Sequence, residues 1–174
     1  MARKRIASIA AAASAAALMT AVGAISAHAE GVGVGGGGRP VTREPNMPTT
    51  WTFAAGEVCP FKTTIVDIVN QTTTLVFPNG ESRGTGRLVE RITNVDTGKT
   101  VTRNISGPGA STYGPNGEWI LTLTGSSIFW AYDGTDATGT VGKGLFIGHG
   151  PLVYVDLILV QAPPSYENLC ETVG

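Results

Sequence analysis

From Lys62 onward the chain is built of short runs of β-branched and aromatic residues broken by Gly, Pro, Asn and Asp, the pattern of strands joined by turns. These runs predict strands over Lys62–Asn70, Thr72–Phe77, Gly86–Asn94, Thr100–Ile105, Glu118–Thr124, Ser127–Tyr132, Lys143–Ile147 and Leu152–Val160. In Glu118–Thr124, Trp119, Leu121 and Leu123 alternate with Glu118, Ile120, Thr122 and Thr124, so one face is apolar and the other mixed. Leu152–Val160 is apolar on both faces apart from Tyr154 and Asp156, which predicts a central strand; Lys62–Asn70 looks the same apart from Asp67.

The intervening positions carry turn chemistry. Asn79-Gly80 and Asn116-Gly117 accept positive φ at little cost, and Asp96-Thr97-Gly98-Lys99 suits a short hairpin. No window holds apolar residues at helical spacing over three turns, and only Tyr166–Cys170 reads as a helical turn. Parallel α/β folds need helical crossovers that are missing here. The expected fold is therefore all-β, an antiparallel small barrel or sandwich of about eight strands.

The first thirty residues do not belong to that pattern. Arg3, Lys4 and Arg5 precede an Ala-rich run with Ile6, Ile9, Leu18 and Val22, and Ala27-His28-Ala29 has the small-x-small form that signal peptidase accepts. Residues 1–29 thus read as an export signal, with cleavage after Ala29; early charges and an interrupted apolar run argue against a retained anchor. Gly31–Gly38 is almost all glycine, and Pro40, Pro45 and Pro48 follow. Such sequence buries too little apolar surface to offset the entropy of ordering, so residues 30–50 read as a tether ahead of a single β domain at 51–174. A phosphate-binding glycine loop would need a strand before it and a helix after it, and neither is predicted.

Processing changes the charge. Arg3, Lys4 and Arg5 are three of twelve basic residues against thirteen acidic ones, so the exported chain carries a net charge of about −4. That is unsuited to gripping phosphate backbones, which need a basic stripe, and no nucleic-acid partner is expected. No later stretch approaches the ~20 apolar residues of a spanning helix, so no membrane span is expected in the mature chain.

Two cysteines, Cys59 and Cys170, bracket the predicted β region. An even pair in an oxidising compartment reads as a disulfide. A metal pair wants further Cys or His at short spacing, and a thiol nucleophile wants a histidine base. Only His149 remains after processing, so neither a metal site nor a cofactor is expected.

The Ala-rich signal, Cys59-Pro60, the hairpin Asn94–Lys99, Ile105-Ser106-Gly107-Pro108 and the closing Cys170 form a recognisable set. In this set the chain resembles a group of small secreted proteins of actinobacterial type, known as hypothetical exported β-domain proteins. The resemblance implies secretion and source, and no activity.

Candidate chemistry is sparse. Asp is a poor strand residue, yet Asp67 and Asp156 sit inside the two most apolar strands. Pointed into one cavity they would form a general acid and base pair; otherwise each faces solvent or accepts hydrogen bonds from Arg87, Arg91 or Arg103. His149, in Gly148-His149-Gly150-Pro151, is a proton-transfer candidate in a turn, or an ordinary loop histidine. Trp119, Phe129, Trp130, Tyr132 and Tyr154 are either the lining of a ligand cavity or ordinary core. Ser111, Ser126 and Ser127 lack the nucleophile-elbow setting, and any serine triad would have to use His149. The two sequons, at Asn70 and Asn104, read as accidental beside a bacterial signal.

The expectation is a secreted, non-enzymatic extracellular module that binds a small apolar ligand, a glycan or a protein partner. The alternatives are a cofactor-independent barrel enzyme of isomerase or cyclase type using Asp67, Asp156 and His149, and a structural envelope protein without a pocket.

Overall fold

The computed structural model describes residues 42–174; the expected signal at 1–29 and the start of the expected tether lie outside the described residues. Strand pairing begins at Thr42, inside the stretch read as tether. There β1 (Thr42–Pro45) pairs antiparallel with the far end of the longest strand, β3 (Thr63–Val76). Pro45 is tolerated because β1 is an edge strand, where a missing N–H breaks no ladder.

The described residues form twelve strands and one short helix. β3 and β4 (Ser82–Asn94) make a long two-stranded ribbon, and shorter strands line both of its edges. β1 and β2 (Thr50–Phe53) sit end to end along β3. β6 (Gly109–Tyr113) and β5 (Thr100–Asn104) sit end to end along β4. From β6 the large sheet continues through β7 (Trp119–Leu123), β10 (Leu152–Val155) and β11 (Ile158–Gln161). A separate three-stranded sheet orders β12 (Ser165–Asn168), β9 (Gly144–His149) and β8 (Ser126–Ala131).

The large sheet does not close into a barrel; its two halves cover opposite faces of the small sheet. Ile128, Trp130, Leu145 and Ile147 of the small sheet pack with Trp51, Phe53, Ile65, Ile92 and Val101 of one half. Phe129 and Phe146, on the other face, pack with Leu123, Leu152, Tyr154 and Leu159 of the other half. That double coverage explains why β9 is buried at five consecutive positions. The ribbon passes from one half to the other near Gly86, where φ is +133° and a Cβ would collide with the Gln71 carbonyl. Only glycine allows the backbones to approach that closely.

Several expected elements are corrected by the pairing. Lys62–Asn70 and Thr72–Phe77 are one strand, because pairing with β4 runs unbroken through Asn70, Gln71 and Thr72; the irregularity, a bulge between Asp67 and Val69, lies before that point. Leu152–Val160 is two strands at the end of the large sheet, not one central strand, because the chain reverses at Asp156-Leu157. β6 was not anticipated, since Gly109-Ala110-Ser111 has little strand propensity. Tyr166 belongs to β12, and the helix α1 follows it at Leu169–Val173, capped by Asn168 accepting from the Cys170 N–H at 3.0 Å.

Cys59 and Cys170 are joined, with Cα atoms 5.3 Å apart. The bridge fixes α1, whose Leu169 and Val173 are fully buried, against the loop after β2.

Candidate functional site

The three groups considered for catalysis occupy three separate environments. Asp156 lies in the two-residue turn between β10 and β11, in a left-handed conformation (φ 47°). Its carboxylate accepts from the Trp119 N–H at 2.9 Å and its own N–H donates to the Trp119 carbonyl at 2.9 Å. This reciprocal pair stitches the turn to the start of β7. Asp156 therefore meets backbone, not the arginines that sequence reasoning offered it.

His149 ends β9, exposed, with Nδ1 3.1 Å from the hydroxyl of Ser126, its cross-strand partner on β8. A serine and a histidine in contact are two parts of a nucleophilic site, but a third group must orient the ring. Glu167, across the sheet on β12, has its oxygens engaged by Arg103 at 2.7 and 2.8 Å and by Thr172 at 2.7 Å. Nearby backbone N–H groups are also used, Gly107 donating to Ser126 and Gly150 to Gly125.

Asp67 meets another carboxyl. On β3 it lies directly opposite Glu90 of β4, both on the core-facing side. One oxygen, Asp67 Oδ2, accepts from the Thr49 N–H at 3.0 Å, the Thr49 hydroxyl at 3.2 Å and the Asn70 amide at 2.7 Å. Asp67 Oδ1 and Glu90 Oε2 are both buried without a hydrogen-bond partner. Burial, reinforced by the neighbouring Asp67 charge, pushes the Glu90 carboxyl up to about 8. Glu90 thus keeps its proton at neutral pH, directly opposite the Asp67 side chain. Sequence reasoning missed it, although the signal was present: Leu88, Glu90, Ile92 and Asn94 share one strand face, which puts an acid in an apolar row.

The aromatic candidates fill the core. Phe129 is buried and stacks on Phe146 with ring centroids 5.1 Å apart. Trp130 packs on Trp51 and Phe53 at 5.9 and 5.4 Å, and Tyr132 borders the same cluster. Tyr154 donates its hydroxyl to the Trp130 carbonyl at 2.6 Å, and burial pushes its ionisation beyond the physiological range. Trp119 is half-buried, with its indole N–H unpartnered. A shallow hollow of about 370 Å³ lies elsewhere, on the outer face of the large sheet. It is lined by Leu75, Arg83, Ala110, Thr122 and Thr124, none of them among the predicted ligand-binding residues.

That outer face continues away from the hollow as an aliphatic row. Ile120 pairs across strands with Val155, and Val155 with Ile158, on the side opposite Leu121 and Tyr154. At its end Leu157 is 41% exposed with φ 68°. Two successive positive φ values make a tight hairpin turn that usually takes Asn-Gly or Asp-Gly; a leucine there is conformationally costly. The departure from Asp-Gly was legible in the sequence, but only the turn geometry gives it meaning. The chain matches no protein-family model, no curated protein and no solved structure.

Proposed function

We propose that this chain is an exported, non-enzymatic binding module that docks an apolar patch of another extracellular protein through the β10–β11 hairpin tip and the aliphatic row beside it. Leu157 carries this reading. A large apolar side chain is held exposed, in a conformation that glycine would adopt more cheaply, and strain kept in an exposed position favours a role in contact. Ile120, Val155 and Ile158, each half-buried, extend the patch along the outer sheet face, a form suited to a protein surface rather than to an enclosed ligand. The Ala-rich leader pattern at 1–29 and the Cys59–Cys170 bridge support export. The separation of Asp67, Asp156 and His149, each with its own structural partners, counts against the acid-base enzyme.

The test uses immobilised full-length protein and the extracellular proteins of the producing cells, with L157G and V155K as variants. The expected result is retention of a defined partner by the wild type and its loss in both variants, with L157G at least as stable as the wild type. Equal retention by all three, or a wild type that binds only a glycan or a small apolar ligand, overturns the proposal.

A further inference from the structure

The bulge in β3 places Asp67 opposite Glu90 at the point where segment 46–49 crosses onto the ribbon. Thr49 is bound from both sides of its peptide unit: its N–H and hydroxyl donate to Asp67 Oδ2, and its carbonyl accepts from the Asp67 N–H at 3.1 Å. The Thr49 hydroxyl in turn accepts from the Trp51 indole at 3.1 Å. Asn70, which donates to the same Asp67 oxygen, also donates to the Met47 carbonyl at 3.3 Å. One carboxylate oxygen therefore anchors Thr49 and, through Asn70, the Met47 carbonyl, while Asn46 is held separately by Thr72 and Thr74.

The other oxygen, Asp67 Oδ1, has only Glu90 to face. Glu90 is 4% exposed, and its Oε2 likewise lacks any donor. Two buried orphan acceptors on directly paired residues are satisfied together by a single proton held between them, which turns a repulsion into a strong charge-assisted hydrogen bond. The surrounding groups supply no alternative neutraliser. Arg103 on β5 is opposite Glu90 in register, but its guanidinium is committed to Glu167 of β12 and to the Thr102 carbonyl at 3.0 Å. Arg91 of β4 is exposed on the opposite face. β2 brings only Thr50, Trp51, Thr52 and Phe53, and β8 ends in Trp130 and Ala131. Tyr132, just after β8, borders this core with a hydroxyl that burial and Glu57 hold protonated.

We propose that Asp67 and Glu90 share one proton and act as an alkali-sensitive latch, holding segment 47–49 on the edge of β3 between β1 and β2. Removing the proton leaves two adjacent carboxylates in the core. The repulsion is relieved by releasing Asp67 toward solvent, and Thr49 goes with it.

The sign of the effect follows from where Glu90 titrates. Its folded value, about 8, lies above the ordinary 4.5, so opening releases a proton anywhere between these limits. The latch is tightest below the ordinary carboxyl value, weakens as pH rises through the window, and levels off above it.

The decisive measurement is amide exchange in the full chain between pH 5 and pH 9, read as protection factors at Thr49 and Asp67 so that the intrinsic pH dependence is removed. In the wild type, protection should fall about tenfold per pH unit across the window, the slope for one released proton. In E90Q, whose amide donates to Asp67 at every pH, the slope should disappear. Equal slopes in both proteins overturn the latch. Should E90Q fail to fold, the carboxyl carbon-13 shift of Glu90 in the wild type decides alone. Titration in the alkaline range supports the shared proton, and titration at the ordinary glutamate value refutes it.

Discussion

Asn94 and Val173 are separated by most of the domain, yet the Asn94 amide donates to the Val173 carbonyl at 3.1 Å in the fully buried core. The other end of the same side chain accepts from the Asp96 and Thr97 N–H groups at 3.0 and 3.3 Å, shaping the turn after β4. One amide thus joins the β4–β5 hairpin to the last turn of α1, satisfying a carbonyl that the helix leaves unpaired at its C-terminus. N94A removes both functions and strands a buried carbonyl. The expected loss is about 2 to 3 kcal/mol, seen as a lower denaturant midpoint with little change in slope.

Replacing Leu157 tests the turn itself. A non-glycine residue in the left-handed region costs roughly 1–2 kcal/mol, and Leu157 has φ 68° with its side chain 41% exposed. L157G is expected to raise the melting temperature, while L157V, β-branched at the same φ, should lower it. A lower melting temperature for L157G would mean that the side chain stabilises the fold more than its backbone conformation costs.

Loss of the Cys59–Cys170 bridge should destabilise the domain strongly. The two residues are 111 apart in sequence, and closing a loop of that order is worth about 4.7 kcal/mol in the chain-entropy picture. The C59S/C170S double variant also leaves two small polar groups where Cys59 and the helix meet the core. Thermal unfolding with and without reductant should show the same large shift that the double variant shows.

Asp136 gives the fold an acid-sensitive joint. Burial alone pushes this carboxyl up, but hydrogen bonds from the Thr138 hydroxyl and from the Gly142, Val141 and Thr138 N–H groups together outweigh it and hold Asp136 at about 2. A lowered folded value means a contribution fully present above the ordinary 3.8 and lost as pH falls through about 2. The loop it organises pins β11, with Ala137 donating to the Leu159 carbonyl and Leu159 to that of Thr135. Protection of the Ala137 and Leu159 amides should therefore decline with acid in the wild type. D136N should remove that pH dependence and start from a less protected loop.

Strand chemistry made the class readable. β-Branched runs, Asn-Gly turns and the lack of helical periodicity determined an all-β antiparallel chain, and the two cysteines determined their own pairing, because no other cysteine competes. Local sequence also located strands such as Thr100–Asn104 and Trp119–Leu123, since side-chain alternation is a property of neighbours in the chain. What it left open was decided by long-range pairing. Whether Lys62–Phe77 is one strand or two depends on the continuous ladder it makes with β4, and whether Leu152–Val160 runs straight depends on a turn that Asp-Leu only weakly specifies. Asp67 stood out early as an acid in an apolar strand, but its partner came from register. Glu90 is 23 positions away, and only the antiparallel ladder brings the two carboxyls together on the buried face. A sequence specifies which residues alternate; the register between strands, set by the packing of both sheets, determines which of them must share a proton.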